Sequence, residues 1–325
     1  VSQATPLPAA VIVTGPTAAG KTALAMALAT RWPVRLISAD SAQVYRHLDI
    51  GTAKPDAATL AQFPHDLIDI NEPEQAYSAA RFVNDCEQAM RAAYERGQWP
   101  VIVGGTPLYL RALLYGLDDL PEADPAFRAT LAERAQQQGW AALHAELAAI
   151  DPIMAGRVRI SDPQRIQRAL EIWHHTGQPP SNLMSRPRVP RFDSVRVVVA
   201  PASRAILHAR IEQRFAEMMA AGFIDEVEAL RQRPGLTIDH PAMRAVGYRQ
   251  AWQWLDGQGD RAQFEAATVA ATRQLAKRQL TALRQLHGGV WYDSEAVAAA
   301  GSSHASIGGL SQRIARLFGD LALHW

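Results

Sequence analysis

The stretch that most restricts how this 325-residue chain can fold is Gly15-Pro-Thr-Ala-Ala-Gly-Lys-Thr22, directly after the apolar run Ala10 to Thr14. The pattern G-x-x-x-x-G-K-[ST] between a strand and a helix makes the segment a strand-loop-helix unit that cradles phosphate. Glycine lets the backbone approach an anion, and successive amides and the helix N-terminus point at it. Gly15, Pro16, Thr17, Ala18, Ala19, Gly20, Lys21 and Thr22 are therefore the expected diphosphate-binding residues, with Lys21 adding charge and the Thr22 hydroxyl placed to hold Mg2+. The loop does not say which diphosphate it holds.

The surrounding sequence sets the fold class. Strand-length apolar runs at Ala10 to Thr14, Arg35 to Ser38, Leu67 to Ile70 and Val101 to Val103 alternate with helical patterns. That alternation predicts a parallel sheet with helices on both faces, laid out as in P-loop nucleotide kinases. One helix starts at Ser78, carries Phe82, Cys86, Ala89 and Ala93 on one side and stops at Gly97. After Gly116 the pattern becomes wholly helical, with Asp124-Pro125 and Asp162-Pro163 as helix starts and Gly139 and Gly177 after helical runs. The Pro- and Arg-rich stretch Gln178 to Arg191 reads as a crossing back, and Val195 to Ala200 as a further strand. Residues 118–192 are thus expected to be an all-helical insertion in an α/β domain formed by 1–117 and 193–325.

Composition excludes several function classes. A hydrophobic content of 48% allows a sizeable core, and the single cysteine, Cys86, permits neither an intrachain disulfide nor a cysteine-rich zinc site. No stretch approaches the roughly 18 to 20 apolar residues of a membrane span, and Val1 to Ala10 lacks the basic cluster of a signal peptide. A soluble, cytoplasmic protein with no membrane partner is expected. The net charge of +1 does not announce a nucleic-acid partner, although all but three of the 33 cations are arginine. A long helix from about Glu265 to Leu286 contains no acid after its first residue. Val269, Ala276, Leu280 and Leu283 form its apolar stripe, with Arg273, Lys277 and Arg284 alongside.

Two common P-loop classes lack their marks. The three lysines precede Thr22, Pro55 and Arg278, so no Asn-Lys-x-Asp base-reading motif exists, and the strand Val101 to Val103 ends in Gly104-Gly105-Thr106 rather than in an acid. The only good strand-terminal acid is Asp40, readable as a base or as a magnesium ligand. In doubly wound sheets the carboxyl ends of the strands share one edge. The loop, Asp40 and Thr106 are therefore expected to converge there.

Six motifs in order resemble the bacterial tRNA dimethylallyltransferases, also called tRNA isopentenyltransferases. They are Gly15 to Thr22, Asp40-Ser-Ala-Gln-Val-Tyr-Arg46 with Asp49 to Pro55, Gly104 to Tyr109, Asp162 to Arg168, Gly247 to Gln250, and Arg273 to Gln279. The resemblance implies that the loop cradles dimethylallyl diphosphate and that the dimethylallyl group moves to N6 of the adenosine 3′ of the tRNA anticodon. It places Asp40 as general base, Thr106 beside the transfer centre, and Asp40, Ser41, Ala42, Gln43 and Thr106 against the target base. Arg214 is chosen as the arginine that stabilises the leaving diphosphate. Gln164, Arg165, Ile166, Gln167 and Arg168 of the insertion are carried over as tRNA contacts, together with Arg128. Arg244, Arg249, Arg273, Lys277, Arg278 and Arg284 are assigned to the phosphates of the anticodon stem. Ala19 departs from the serine frequent in the family, and the single cysteine leaves no zinc finger of the eukaryotic kind. A monomer is expected. On the residues alone, a P-loop kinase of small metabolites or a nucleic-acid-binding protein with a regulatory P-loop remains open. The first leaves the arginine-bearing insertion unexplained, and the second leaves Asp40 to Gln43 and Gly104 to Thr106 unexplained.

Overall fold

The computed structural model describes residues 6–184, 189–286 and 288–295, arranged as two compact units. Of the described residues, the first unit comprises those within 6–115 and 190–295, and the second those within 116–189. In the first unit the chain runs through β1 (Ala10–Thr14), α1 (Lys21–Ala29), β2 (Val34–Ser38), α2 (Ala57–Gln62), β3 (His65–Asp66), α3 (Ala79–Glu95), β4 (Trp99–Gly104) and α4 (Pro107–Tyr115). The second unit holds α5 (Pro125–Ile150), α6 (Pro152–Arg157), α7 (Pro163–Thr176) and α8 (Pro180–Leu183). The first unit then resumes with β5 (Ser194–Ala200), α9 (Arg204–Ala220), α10 (Phe223–Arg231), α11 (Tyr248–Leu255), α12 (Arg261–Arg284) and β6 (Gly289–Asp293).

The six strands form one sheet in the order β3-β2-β4-β1-β5-β6, and every pairing is parallel. A parallel sheet needs a crossover between paired strands, so helices cover both faces and the two central strands, β4 and β1, are apolar except for Thr14. β1 shows this directly, with all five residues buried. Ile12 packs among residues that include Leu110 and Tyr248, whereas Val11 and Val13 face a smaller cluster with Leu24 and Leu28 of α1. All the strands point their carboxyl ends the same way, which places the loops after β1, β2 and β4 along one edge.

The capping signals work as read, since Ser78, Asp124 and Asp162 each accept the amide three residues on. A third Asp-Pro pair does the same, Asp151 receiving the Met154 amide at 2.9 Å. Gly139 interrupts α5 rather than ending it, with non-helical dihedrals between two helical halves. The structure corrects one strand expectation and adds a strand. Leu67 to Ile70 is not a strand: Leu67 and Asp69 have φ of 64° and 55°, and only His65–Asp66 pairs with β2. β6 was not anticipated, and it ends in Asp293, which joins Asp66 of β3 as an acid at the end of a strand. Part of the expected crossing, residues 185–188, lies outside the described residues.

The helical unit is organised around Glu171, whose side chain has no exposure. Arg128 grips it with two bonds of 2.8 Å, Arg168 adds one of 2.6 Å, and the Asp124 amide donates at 2.7 Å. Burial alone would raise the carboxyl's pKa, but these donors outweigh it and lower it to about 2. The group therefore contributes stability that is complete above its ordinary value near 4.5 and is lost as pH falls through that value toward about 2. Glu171→Gln is expected to lower stability at neutral pH by about 2 kcal/mol, the scale of a charged hydrogen-bond network, and to flatten the acid limb. Thermal melts across that pH range check this, and identical acid limbs in both proteins would contradict it.

Candidate active site

The loop after β1 takes its shape from backbone conformations that the sequence permits. Gly20 sits at φ 84°, the left-handed conformation that opens α1, and Ala18 shares that hand at φ 60°. A cavity of about 660 Å3 opens above the loop, lined by Thr17 to Thr22, Asp40 to Gln43, Gly104 to Thr106, Arg214, Arg244, Arg278 and Gln279. Segments far apart in sequence thus meet at the carboxyl edge of the sheet. Gly15 and Pro16 are buried beneath the cavity and do not line it. The Pro16 carbonyl oxygen accepts a bond of 2.8 Å from the Lys21 ammonium.

Lys21 is the electrostatic centre of the site. Burial, together with the positive charge of Arg214, lowers its pKa to about 8 even though Asp40 pulls it the other way. Burial also lowers the pKa of Arg214, and Asp40 again opposes the shift. Two partly desolvated cations thus face Asp40, with Glu217 also acting on Arg214, and Arg244 and Arg278 add positive charge to the same cavity, which favours a multiply charged anion. The Arg214 guanidinium lies 3.4 Å from the Thr17 hydroxyl, which joins α9 to the loop.

Asp40 is held at one oxygen and open at the other. Its Oδ1 accepts the amides of Ala42 at 2.9 Å and Gln43 at 3.4 Å, a turn that presents the carboxylate to the cavity. The Thr106 hydroxyl accepts the Ser41 amide at 3.1 Å and lies 3.3 Å from the Ser41 hydroxyl. Gln43 donates its side-chain amide to the carbonyls of Thr52 and Ala53, both at 3.2 Å. With both N–H groups committed, its oxygen is left as an acceptor. A wall of Tyr45, Tyr77 and Tyr109 lines the cavity, with the Tyr77 and Tyr109 hydroxyls held neutral mainly by burial. The Tyr109 ring stacks on Phe82 with centroids 4.2 Å apart.

The other expected RNA-contacting residues are placed unevenly. Arg244 and Arg278 are exposed and line the cavity, and Lys277 and Arg284 are exposed on α12. Arg273 is engaged by Glu212 of α9, and Arg249 is half-buried and directed at the Ile238 carbonyl at 3.4 Å. In the helical unit Gln164 and Arg165 are exposed, and Arg165 lies 3.3 Å from Asp162. Gln167 donates to the Arg128 carbonyl at 3.1 Å. Arg128 and Arg168 have an internal partner, Glu171. Ile166 is corrected outright: it is fully buried in the core of its unit with Leu131 and Leu143, so its side chain cannot contact RNA.

Two supporting residues had no role in the sequence reading. Gln279 of α12 accepts the Thr17 amide at 2.9 Å and donates to the Gly105 carbonyl at 2.8 Å. Glu226 of α10 accepts the amides of Asp49, Ile50 and Gly51 and the Tyr248 hydroxyl. Gln279 closes a motif that was recognised in sequence. Nothing local to Glu226 signals its role.

Comparison with known proteins identifies the assembly. A family model described as IPP transferase matches residues 43–286, and one described as isopentenyl transferase matches residues 8–74. The chain is 54% identical over 293 residues to a tRNA dimethylallyltransferase of Stenotrophomonas maltophilia strain R551-3, covering 88% of this chain and 92% of that protein. It is 56% identical over 288 residues to a tRNA dimethylallyltransferase of Thiobacillus denitrificans, with the same coverage. The crystal structure of the full-length tRNA isopentenylpyrophosphate transferase from Bacillus halodurans is 35% identical, with a TM-score of 0.64 over 88% of this chain and 90% of that one. A eukaryotic dimethylallyltransferase acting on tRNA is 23% identical and shares the fold, with a TM-score of 0.79 over 98% of this chain and 80% of that one.

The Lys21 charge yields a binding test. Anion binding uses the ammonium form, so above about pH 8 the affinity for inorganic diphosphate should weaken by up to about tenfold per pH unit relative to Lys21→Met. Calorimetric titration of both proteins from about pH 7 to pH 10 measures the difference. Parallel profiles would contradict the assignment.

Proposed function

That this chain belongs to the IPP transferase family is the premise from which we propose its reaction: transfer of a dimethylallyl group from dimethylallyl diphosphate to N6 of the adenosine 3′ of the tRNA anticodon, with release of diphosphate. The observation that carries the reading is the meeting of Asp40, Thr106 and Arg214 with the loop at Lys21 in one cavity. Each member has a chemical task. The exocyclic amine is a weak nucleophile because its lone pair is delocalised into the ring, so its proton must leave as the new C–N bond forms. The open oxygen of Asp40 takes that proton. The acceptor oxygen of Gln43 and the hydroxyls of Ser41 and Thr106 suit the edge of the base.

On the opposite side the C–O bond to diphosphate breaks and negative charge grows on the leaving oxygen. The amides of Ala18 to Thr22, the Lys21 ammonium and the Arg214 guanidinium are preorganised to receive it. Thr22 lines the cavity beside Lys21 and would hold Mg2+ with phosphate oxygens and water, a set that suits this ion. When bound, the ion neutralises charge on the diphosphate. The tyrosine wall supplies apolar surface for a five-carbon group.

The RNA is expected to contact Arg244, Lys277, Arg278 and Arg284 from the first unit. From the helical unit, the exposed Gln164 and Arg165 and the part-exposed edges of Arg128 and Arg168 are its expected contacts. A target base normally stacked in the anticodon loop must be turned out to reach the cavity.

The direct test is incubation with magnesium, unmodified tRNA and dimethylallyl diphosphate, followed by mass spectrometry of the nucleosides. A prenylated adenosine is expected, and its absence with folded protein would overturn the reading. Asp40→Asn keeps an oxygen for the Ala42 amide but removes the base. It should reduce turnover by about 10²- to 10⁴-fold while tRNA affinity stays within about threefold. A comparable loss of tRNA binding would make Asp40 a recognition residue instead.

A further inference from the structure

The amide donors of the phosphate loop are not all free. Thr17 gives its N–H to Gln279 Oε1 at 2.9 Å, and Pro16 has none to give. The amides left to an anion are those of Ala18 to Thr22, at the helix side of the loop. In P-loops the lysine marks the end at which the terminal phosphate lies. Gln279 stands at that end: a Cβ placed on Gly105 would lie 2.7 Å from Gln279 Nε2 and 3.4 Å from Lys21 Nζ. The same side chain donates from Nε2 to the Gly105 carbonyl, so its own donor is also committed. Gln279 is only 7% exposed, and Thr106, the next residue after Gly105, carries the hydroxyl that meets Ser41.

We infer that Gln279 strips the terminal end of the loop of its backbone anion donor and thereby makes the cradle selective for a diphosphate ester over a triphosphate. Past the second phosphate, a third would meet an occupied amide, a proline nitrogen and a committed carboxamide, the Lys21 ammonium and the Arg214 guanidinium beside Thr17 being engaged by the first two phosphates. An uncharged hydrocarbon needs no donor there. The site therefore places the apolar transferred group where a P-loop kinase holds its third phosphate. The inference rests on the reading that the loop holds a diphosphate, but it does not require prenyl transfer. Gln279 acts through Thr17 and Gly105 and is a positioning residue.

Competition binding of inorganic diphosphate and inorganic tripolyphosphate, each with magnesium, tests this on wild type, Gln279→Ala and Gln279→Met. Wild type is expected to prefer diphosphate by at least tenfold. Gln279→Ala frees the Thr17 amide and opens space, and should lower that preference at least tenfold while diphosphate affinity shifts by less than about threefold. Gln279→Met keeps the volume while freeing the Thr17 amide and the Gly105 carbonyl, so a drop of at least threefold is expected even if the alanine variant does not fold. Loss of overall stability alone would weaken both ligands equally and leave the ratio in place. A wild type without the preference, or an unchanged ratio in a folded variant, would overturn the inference. Because the readout is binding, failure of the transfer assay with this ratio intact would sink the proposed reaction and not the role of Gln279.

Discussion

The ammonium of Lys21, half-buried at the start of α1, is the point on which the other features of the site depend. It is placed by the first turn of α1 and bonded to the Pro16 carbonyl, with Asp40 and Arg214 close enough to shift it in opposite directions. A cation in such surroundings is costly without an anion, and the parallel sheet supplies the geometry in which one can bind. Strands β1, β2 and β4 end side by side, so three loops deliver a cradle, a carboxylate and a threonine to one cavity. The sheet's register thus turns residues tens of positions apart into neighbours.

Around this centre the protein uses polar side chains to hold backbone rather than ligand. Glu226 gathers three successive amides of the segment Asp49 to Gly51, whose following carbonyls at Thr52 and Ala53 fix the Gln43 side chain. Lys54 is nearly buried and joins the Tyr45 carbonyl to Asp49 and Asp69. Such bonds orient the groups that face the cavity at no cost during reaction, which is how preorganised sites work. Gly51 packs against Phe223 and Tyr248 so closely that a Cβ there would lie 2.7 Å from the tyrosine ring, which locks the segment to α10 and α11.

What the sequence made legible were features whose chemistry demands a residue type at a fixed spacing. The loop, the Asp-Pro helix starts and the acid after β2 belong to this class, because each is decided within a few residues. Long-range partners were not legible. The bond from Thr17 to Gln279 spans 262 positions, and Glu226 meets Asp49 across 177. Leu67 to Ile70 is apolar enough for a strand, yet its backbone turns left-handed twice to bond the Gln43 and Val44 carbonyls. Ile166 was carried along with its motif although helical spacing puts it on the buried face with Ala169 and Leu170. Arg128 and Arg168 have surface-like spacing, and only the structure shows the buried acid that holds them.

The central claim is that the loop after β1 holds the leaving diphosphate while Asp40 faces the amine that receives the transferred carbon. A crystal structure with magnesium, an anticodon stem-loop and a non-reactive thiolo analogue of dimethylallyl diphosphate tests it most directly. The account requires both phosphorus atoms within the loop beside Lys21, the allylic carbon directed at the cavity, and the adenosine N6 within hydrogen-bond reach of Asp40. A diphosphate bound elsewhere, or an adenosine N6 remote from Asp40 with the loop filled, would contradict it.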